Sequence, residues 1–288
     1  MNNSDWEYII NFNRLDSVIV NKIVDWCFPV WHKTLNEQDK LYYYTDTKAL
    51  ANGILEDRNN VCLWASRYSH LNDPTEITAS IQELKKVLPQ EDKCLINNVS
   101  RMIQNNHSIS FSVYPDFLPM WKMYGDSGKG VMLTFDTMEI VKQYRGLLQP
   151  CLYKGTEEYE QTKERILDIK SHPELKELPA ELQQTVRMFM LQLFVSIAKN
   201  NEYLYEKEVR LIGLGNSFFG DNSRRQQYRV SNNQIIPYVE VPIASSALKR
   251  VCLGPLAKSE LNKETLKEFL LYKGYDSVKV STSIIQYR

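Results

Sequence analysis

Between residues 6 and 33, Ile9, Ile10, Phe12, Val18, Ile19, Ile23, Val24, Trp26 and Cys27 recur at spacings that fit one or two amphipathic helices ending before Pro29. The period then changes. Lys40 to Thr45 (KLYYYT) is aromatic and β-prone, and Asp46 behind it offers an N-cap to a short helix through Leu50 and Ile54. Val61 to Ser66 reads as a short buried strand. Asn72-Asp73-Pro74 is turn chemistry that caps a helix beginning near Glu76 and completed by Leu84 to Leu88. A helix over 94–104 precedes Ser108 to Val113, whose small polar and apolar residues alternate with the period of a half-buried strand until Pro115 stops it. This register sends Ser110 and Ser112 toward a cleft and Phe111 into the core.

Further strands are predicted at 131–135 and 151–153, with a helix around 138–144 between them. Residues 155–201 are the most helical stretch. Pro173 and Pro179 divide it, Glu157, Glu160 and Glu164 fall on exposed positions, and Met188, Leu191, Leu193, Phe194 and Ile197 form a buried stripe. Strands at 204–214, 235–241 and 249–253, a helix over 259–271 and a strand near 277–280 complete the chain. The order is helical first and then irregularly mixed, which predicts an α+β fold rather than a regular βαβ winding. No internal repeat or Gly- or Pro-rich linker marks a boundary, so one domain is expected over 1–288, a helical preface (1–38) leading into a core (39–288).

Charge adds little to this picture. Lys plus Arg and Asp plus Glu are both 35 in 288 residues, so no global field recruits nucleic acid or an anionic membrane. Arg224, Arg225 and Arg229 with Tyr228 form a small basic group, which reads as a solvated hairpin tip before it reads as a phosphate grip. Five cysteines without C-x-x-C pairing, a polar N-terminus and no apolar run of membrane-spanning length point to a cytoplasmic chain with reduced thiols and no membrane association. The four histidines show no ligand spacing, so no metal is expected. Gly125 to Gly130 (GDSGKG) lacks the Ser/Thr and the following helix of a phosphate-binding loop and reads as a tight turn.

Four blocks carry more when taken together: LYYYT at 41–45, LWASRYSHLNDPTE at 63–76, SFS with PMWKMYG at 110–125, and YEKEVRLI at 205–212, followed by LGP at 253–255. In this order the chain from about Leu41 to Arg288 resembles the bacterial family catalogued as domain of unknown function 2971, and the layout is similar to that of ADP-ribosyltransferases, which split NAD and pass ADP-ribose to an acceptor. The resemblance implies a split, mainly antiparallel sheet with flanking helices, and NAD as substrate without a metal. It assigns Tyr43, Thr45, Ser110, Ser112, Tyr124 and Arg210 to the cofactor and Glu206 and Glu208 to catalysis. Asn72, Asp73, Glu76 and Trp121 become further pocket candidates. Tyr43 stands where the family more usually shows a basic residue, commonly His. An acceptor, protein or nucleic acid, and an antitoxin or antiphage-defence partner belong to the same expectation.

The residues themselves leave alternatives open. Strand alternation puts Glu206, Glu208 and Arg210 on one face, where two acids could stabilise positive charge at an anomeric carbon, Glu208 in that role and Glu206 toward the acceptor. In that catalytic role Glu208→Gln is expected to preserve the fold, at a cost of no more than about 1 kcal/mol, while nearly abolishing NAD turnover; the same three residues also fit a solvated charge ladder on an edge strand. Asn72, Asp73 and Glu76 read as helix capping before they read as pocket residues, and Trp121 and Tyr124 read as core before they read as cover for a nicotinamide or adenine ring. A catalytically silent nucleotide- or protein-binding module, and a hydrolase using the same acids, are the competing functions.

Overall fold

The computed structural model describes residues 17–28, 39–55, 60–71, 75–144, 147–213, 226–231 and 234–286. It is a mixed α+β fold organised by a mainly antiparallel sheet. Of the helical preface the described part is α1 (Ser17–Cys27), whose Val20, Ile23, Val24 and Cys27 join the core. Asn72, Asp73, Arg224 and Arg225 lie outside the described residues.

Strand β1 (Lys40–Thr45) runs into a helical turn at Thr47–Ala49, where the Asp46 carboxylate accepts from the Ala49 amide at 2.6 Å, and then into a π-helical turn at Leu50–Ile54. Strand β2 (Asn60–Arg67) shows period-two burial. Val61, Leu63 and Ala65 face the core and sit opposite Ile243, Val241 and Val239 of β10 (Gln234–Ala244), while Trp64 and Ser66 take the other face. Helices α2 (Thr75–Val87) and α3 (Lys93–Met102) lead to β3 (His107–Ser112). Then follow α4 (Leu118–Tyr124), β4 (Val131–Asp136), α5 (Thr137–Tyr144), β5 (Leu148–Pro150), β6 (Leu152–Tyr153) and α6 (Glu157–Leu167). Helix α7 (Ala180–Ile197) is sheathed on nearly every side, buried from Met188 to Ile197, as expected of a helix apolar around its circumference. It ends in β7 (Ala198–Lys199), which pairs in parallel with β6. The rest comprises β8 (Glu208–Gly213), β9 (Gln227–Ser231), β10, β11 (Leu248–Leu253), α8 (Glu260–Tyr272) and β12 (Lys279–Thr282).

The main sheet has the order β12-β11-β4-β1-β3-β2-β10-β9, with β8 on the second flank of β3 and β5 beyond it. One irregularity matters for function. Strand β3 pairs with β8 along its whole length, from His107↔Gly213 to Ser112↔Glu208, but divides its other flank between two partners. Its C-terminal end meets β1 at Tyr42↔Ser112, and its N-terminal end meets β2 at Ser66↔Ser108 and Arg67↔His107. Strands β1 and β2 therefore diverge, and Ser110 stands in the gap between them.

Two of the sequence blocks prove to be packing devices. In GDSGKG, Asp126, Ser127 and Gly128 adopt positive φ of 48°, 54° and 90°. This turn closes against Gly254-Pro255, with Gly254 N donating to Gly130 O and Leu256 N to Gly128 O, both at 2.9 Å. A Cβ at Gly130 would lie 2.2 Å from the Thr45 carbonyl oxygen, a backbone atom that cannot swing aside. Gly130→Ala is expected to cost at least the 1–3 kcal/mol typical of overpacking, read as a lower urea midpoint with an unchanged m-value.

Candidate functional site

The divergence of β1 and β2 opens a cavity of about 640 Å³, within the usual range for small-molecule sites. Residues 42–45 line it from β1 and Asp46 from the turn after it, Trp64 and Ser66 from β2, 108–111 from β3, Met120, Met123 and Tyr124 from α4, and Arg229 from β9, with Glu206 and Glu208 also in its wall. The register brings Tyr43, Thr45, Ser110, Tyr124, Glu206 and Glu208 of the expected residues together here. Ser110 is exposed in the gap, and Phe111 beside it is 1% exposed, its ring 6.0 Å from that of Tyr43.

The remaining candidates lie elsewhere. Ser112 is fully buried outside the cavity lining, where its hydroxyl donates to the Glu206 carbonyl at 3.0 Å and accepts from Tyr114 N at 3.1 Å. It holds the turn before β8, so the expectation that both serines face the cleft is corrected: Ser112 is the register partner of Glu208 and points into the structure. Trp121 sits in a core cluster with Tyr44, Met120, Met132 and Cys252, its indole Nε1 donating to Asp116 Oδ1 at 2.7 Å. Its neighbours Met120 and Tyr124 reach the cavity instead. Glu76 and Arg210 are buried behind the wall.

Glu206 is not on the strand expected over 204–214. Residues Asn201–Glu206 form a 3₁₀ helix, Lys207 takes a left-handed conformation (φ 42°, ψ 54°), and β8 begins at Glu208. Alternation therefore does not bring the two acids together. A cation does. Lys199, 5% exposed, donates to Glu208 Oε2 at 2.6 Å and forms an ion pair with Glu206 Oε2. Arg210 clamps Glu208 from behind, Nε to Oε1 at 2.8 Å and Nη2 to Oε2 at 3.0 Å, and its Nη1 reaches Glu76 Oε1 at 2.5 Å and the Ser196 carbonyl at 2.8 Å. The second Glu206 oxygen accepts from the Tyr124 hydroxyl at 3.1 Å. The Glu208 backbone is fixed as well: its amide donates to Tyr153 Oη at 2.9 Å and its carbonyl accepts from Cys151 N at 2.8 Å. A solvated charge ladder is thus ruled out, because these groups are buried and mutually paired.

Burial alone would raise the Glu208 pKa, but Arg210 and Lys199 more than offset it and hold the carboxyl well below the ordinary carboxylate range. For Lys199 burial would lower the pKa, and Glu208 more than offsets that, so the ammonium is held above its usual range. Lys199 was invisible to the sequence reading. The one available signal was a lysine just after the apolar run of α7, seven and nine residues ahead of the two glutamates it pairs with.

Among the described residues no group of His, Cys, Asp and Glu is arranged to hold a metal ion, and no helix is long and apolar enough to cross a membrane. No protein of curated description matches the chain. The solved structure of Thermus sp. 2.9 DarT in complex with ADP-ribosylated ssDNA is similar at 13% identity, covering 87% of this chain and 96% of that one with a TM-score of 0.33. Residues 120–211, from α4 through the buried lysine and both glutamates to β8, match the family described as protein of unknown function (DUF2971), the family the sequence blocks resemble.

Proposed function

We propose that the cavity takes NAD and that the chain transfers ADP-ribose from it to an acceptor nucleophile. The observation that carries this reading is an acidic wall fixed against a 640 Å³ cavity: Glu206 and Glu208 in the lining, with Glu76 behind them, are interlocked with only two basic side chains, Lys199 and Arg210. Such an excess of acid favours positive charge in the cavity, the charge that develops at the anomeric carbon when a glycosidic bond to nicotinamide breaks. NAD supplies that bond, nicotinamide leaving with its electron pair as the acceptor oxygen or nitrogen attacks.

In this reading Glu208 is the electrostatic stabiliser, held rigid by Arg210 and Lys199 so that no reorganisation is needed as charge develops. Glu206, turned between Lys199 and Tyr124, takes the acceptor's proton. Tyr43, Thr45, Ser110 and Tyr124 offer ring faces and hydroxyls along the wall, and Ser112 acts indirectly by holding the Glu206 turn. The test is nicotinamide release on incubation with NAD, with and without candidate protein and nucleic-acid acceptors, and its absence under all of these conditions ends the reading. One observation favours a second reading, a silent binding module: both Glu208 oxygens are already occupied. That reading expects NAD or ADP binding without turnover.

A further inference from the structure

The residues of β1 that line the cavity, Tyr42, Tyr43, Tyr44 and Thr45, carry no cation, and a cation stands on the other arm of the split. Arg229 of β9, part of the basic group that reads in sequence as a solvated hairpin tip, is half-buried in the cavity lining instead. Its Nη2 donates to Ser66 Oγ at 2.9 Å, and its guanidinium carbon lies 5.7 Å from the centre of the Trp64 ring. Trp64 is fixed in turn. It lies over Gly53, where a Cβ would come within 2.0 Å of the indole, and tilts against Tyr238 with ring centroids 5.0 Å apart. Tyr43 registers the same charge: burial raises its hydroxyl pKa, Arg229 pulls it down and Asp46 pushes it up.

Two features mark this arm as made for a ligand. Arg229 Nε and Trp64 Nε1 are both screened from solvent and have no hydrogen-bond acceptor. Among the described residues no carboxylate is ion-paired with Arg229, whereas the two cations behind the acidic wall, Lys199 and Arg210, are each matched to acids. Of the acids in the lining, Asp46 is turned to cap the Ala49 amide, and Glu206 and Glu208 are paired with Lys199. A partly desolvated guanidinium without a counter-charge is costly, and an anion entering the cavity removes that cost.

The geometry points to Arg229, oriented by Ser66 and backed by Trp64, as the phosphate-binding group of the cavity, taking the diphosphate of a nucleoside diphosphate. The planar fork suits two phosphate oxygens, and the cation lies on the β2–β10–β9 arm, away from the acidic wall that would repel an anion. The choice of a nucleoside diphosphate rests on the NAD reading above, but the anion site rests on Arg229 itself.

Calorimetric titration with ADP and with adenosine separates the two. Arg229→Gln is expected to weaken ADP binding about 10- to 100-fold, the range for a lost charged hydrogen bond, and to leave adenosine binding within about twofold. Arg229→Lys, which keeps the charge and loses the fork, serves as the second variant should Gln fail to fold, and is expected to fall between wild type and Gln. Equal ADP affinity in wild type and in whichever of the two variants folds overturns the assignment. So does an equal loss of adenosine binding, or no ADP binding by the wild-type chain at millimolar concentration. NAD turnover tells this failure from that of the transferase. Nicotinamide release with the same KM in Arg229→Gln and wild type removes the anion site and leaves the transferase, whereas Arg229-dependent ADP binding without nicotinamide release does the reverse.

Discussion

Lys199→Met is expected to lower the unfolding free energy by about 3–5 kcal/mol, the range for removing one partner of a buried ion pair. The side chains are similar in length, so little volume is lost. What changes is that Glu206 Oε2 and Glu208 Oε2 lose a shared ammonium in a place where water does not replace it. Arg210 still holds Glu208, so the larger local change falls on Glu206, left with Tyr124. The effect should be nearly flat with pH. Glu208 has a folded pKa below its ordinary 4.5, so its contribution is present above about that value and is lost only as pH falls through the depressed one. Lys199 is shifted above its ordinary 10.5, so its contribution is present below that value and is lost only as pH rises through the raised one. Between about pH 5 and 10 both are in place, and the gap between wild-type and Lys199→Met stabilities, read from urea unfolding at several pH values, should not close. A gap below about 1 kcal/mol, or one that vanishes near pH 7, would show that the lysine is solvated rather than buried.

That lysine also shows where local pattern stops being informative. KLYYYT over 40–45 is legible because aromatic and β-branched residues favour a pleated surface wherever the strand ends up, and Asp46 is legible as a helix cap because capping is settled within a turn. The strand expected over 204–214 begins four residues later, at Glu208, because Lys207 is left-handed, a conformation no neighbour demands. Glu76 and Arg210 are 134 residues apart in sequence, and nothing local to either distinguishes a helix-capping acid from the counter-ion of a buried guanidinium. Arg229 was misjudged for the same reason. Arginines near a turn are usually solvated, and only the placement of β9 beyond β10 and β2 brings this one over Trp64. Trp121 and Tyr124 share a short helix, yet one packs against Tyr44, Met132 and Cys252 and the other meets Glu206, a division set by neighbours distant in sequence rather than by spacing.

Glu208→Gln should lose about 10² to 10³ in NAD turnover, the size of a removed electrostatic stabiliser. It should also be destabilising, contrary to the mild surface substitution that the sequence alone suggests. An amide keeps the volume but cannot serve both the Arg210 fork and the Lys199 ammonium as an anion, and it presents an NH₂ to one of the two cations. A loss of about 2–4 kcal/mol is expected, softened relative to a bare deletion because Glu76 still faces Arg210 and Glu206 still faces Lys199. The two effects need separating, since a partly unfolded enzyme is also slow. Turnover is therefore compared at a temperature where circular dichroism shows both proteins folded, with ADP affinity as a control that the cavity persists. Glu206→Gln, which retains a hydrogen bond from Tyr124, should leave hydrolysis of NAD within about tenfold while impairing transfer to an acceptor, because the lost group acts on the nucleophile and water can enter in its place. Wild-type turnover in folded Glu208→Gln, or the same ratio of hydrolysis to transfer in both variants, would remove the division of labour proposed for the two acids and leave the lysine-bound pair as structure alone.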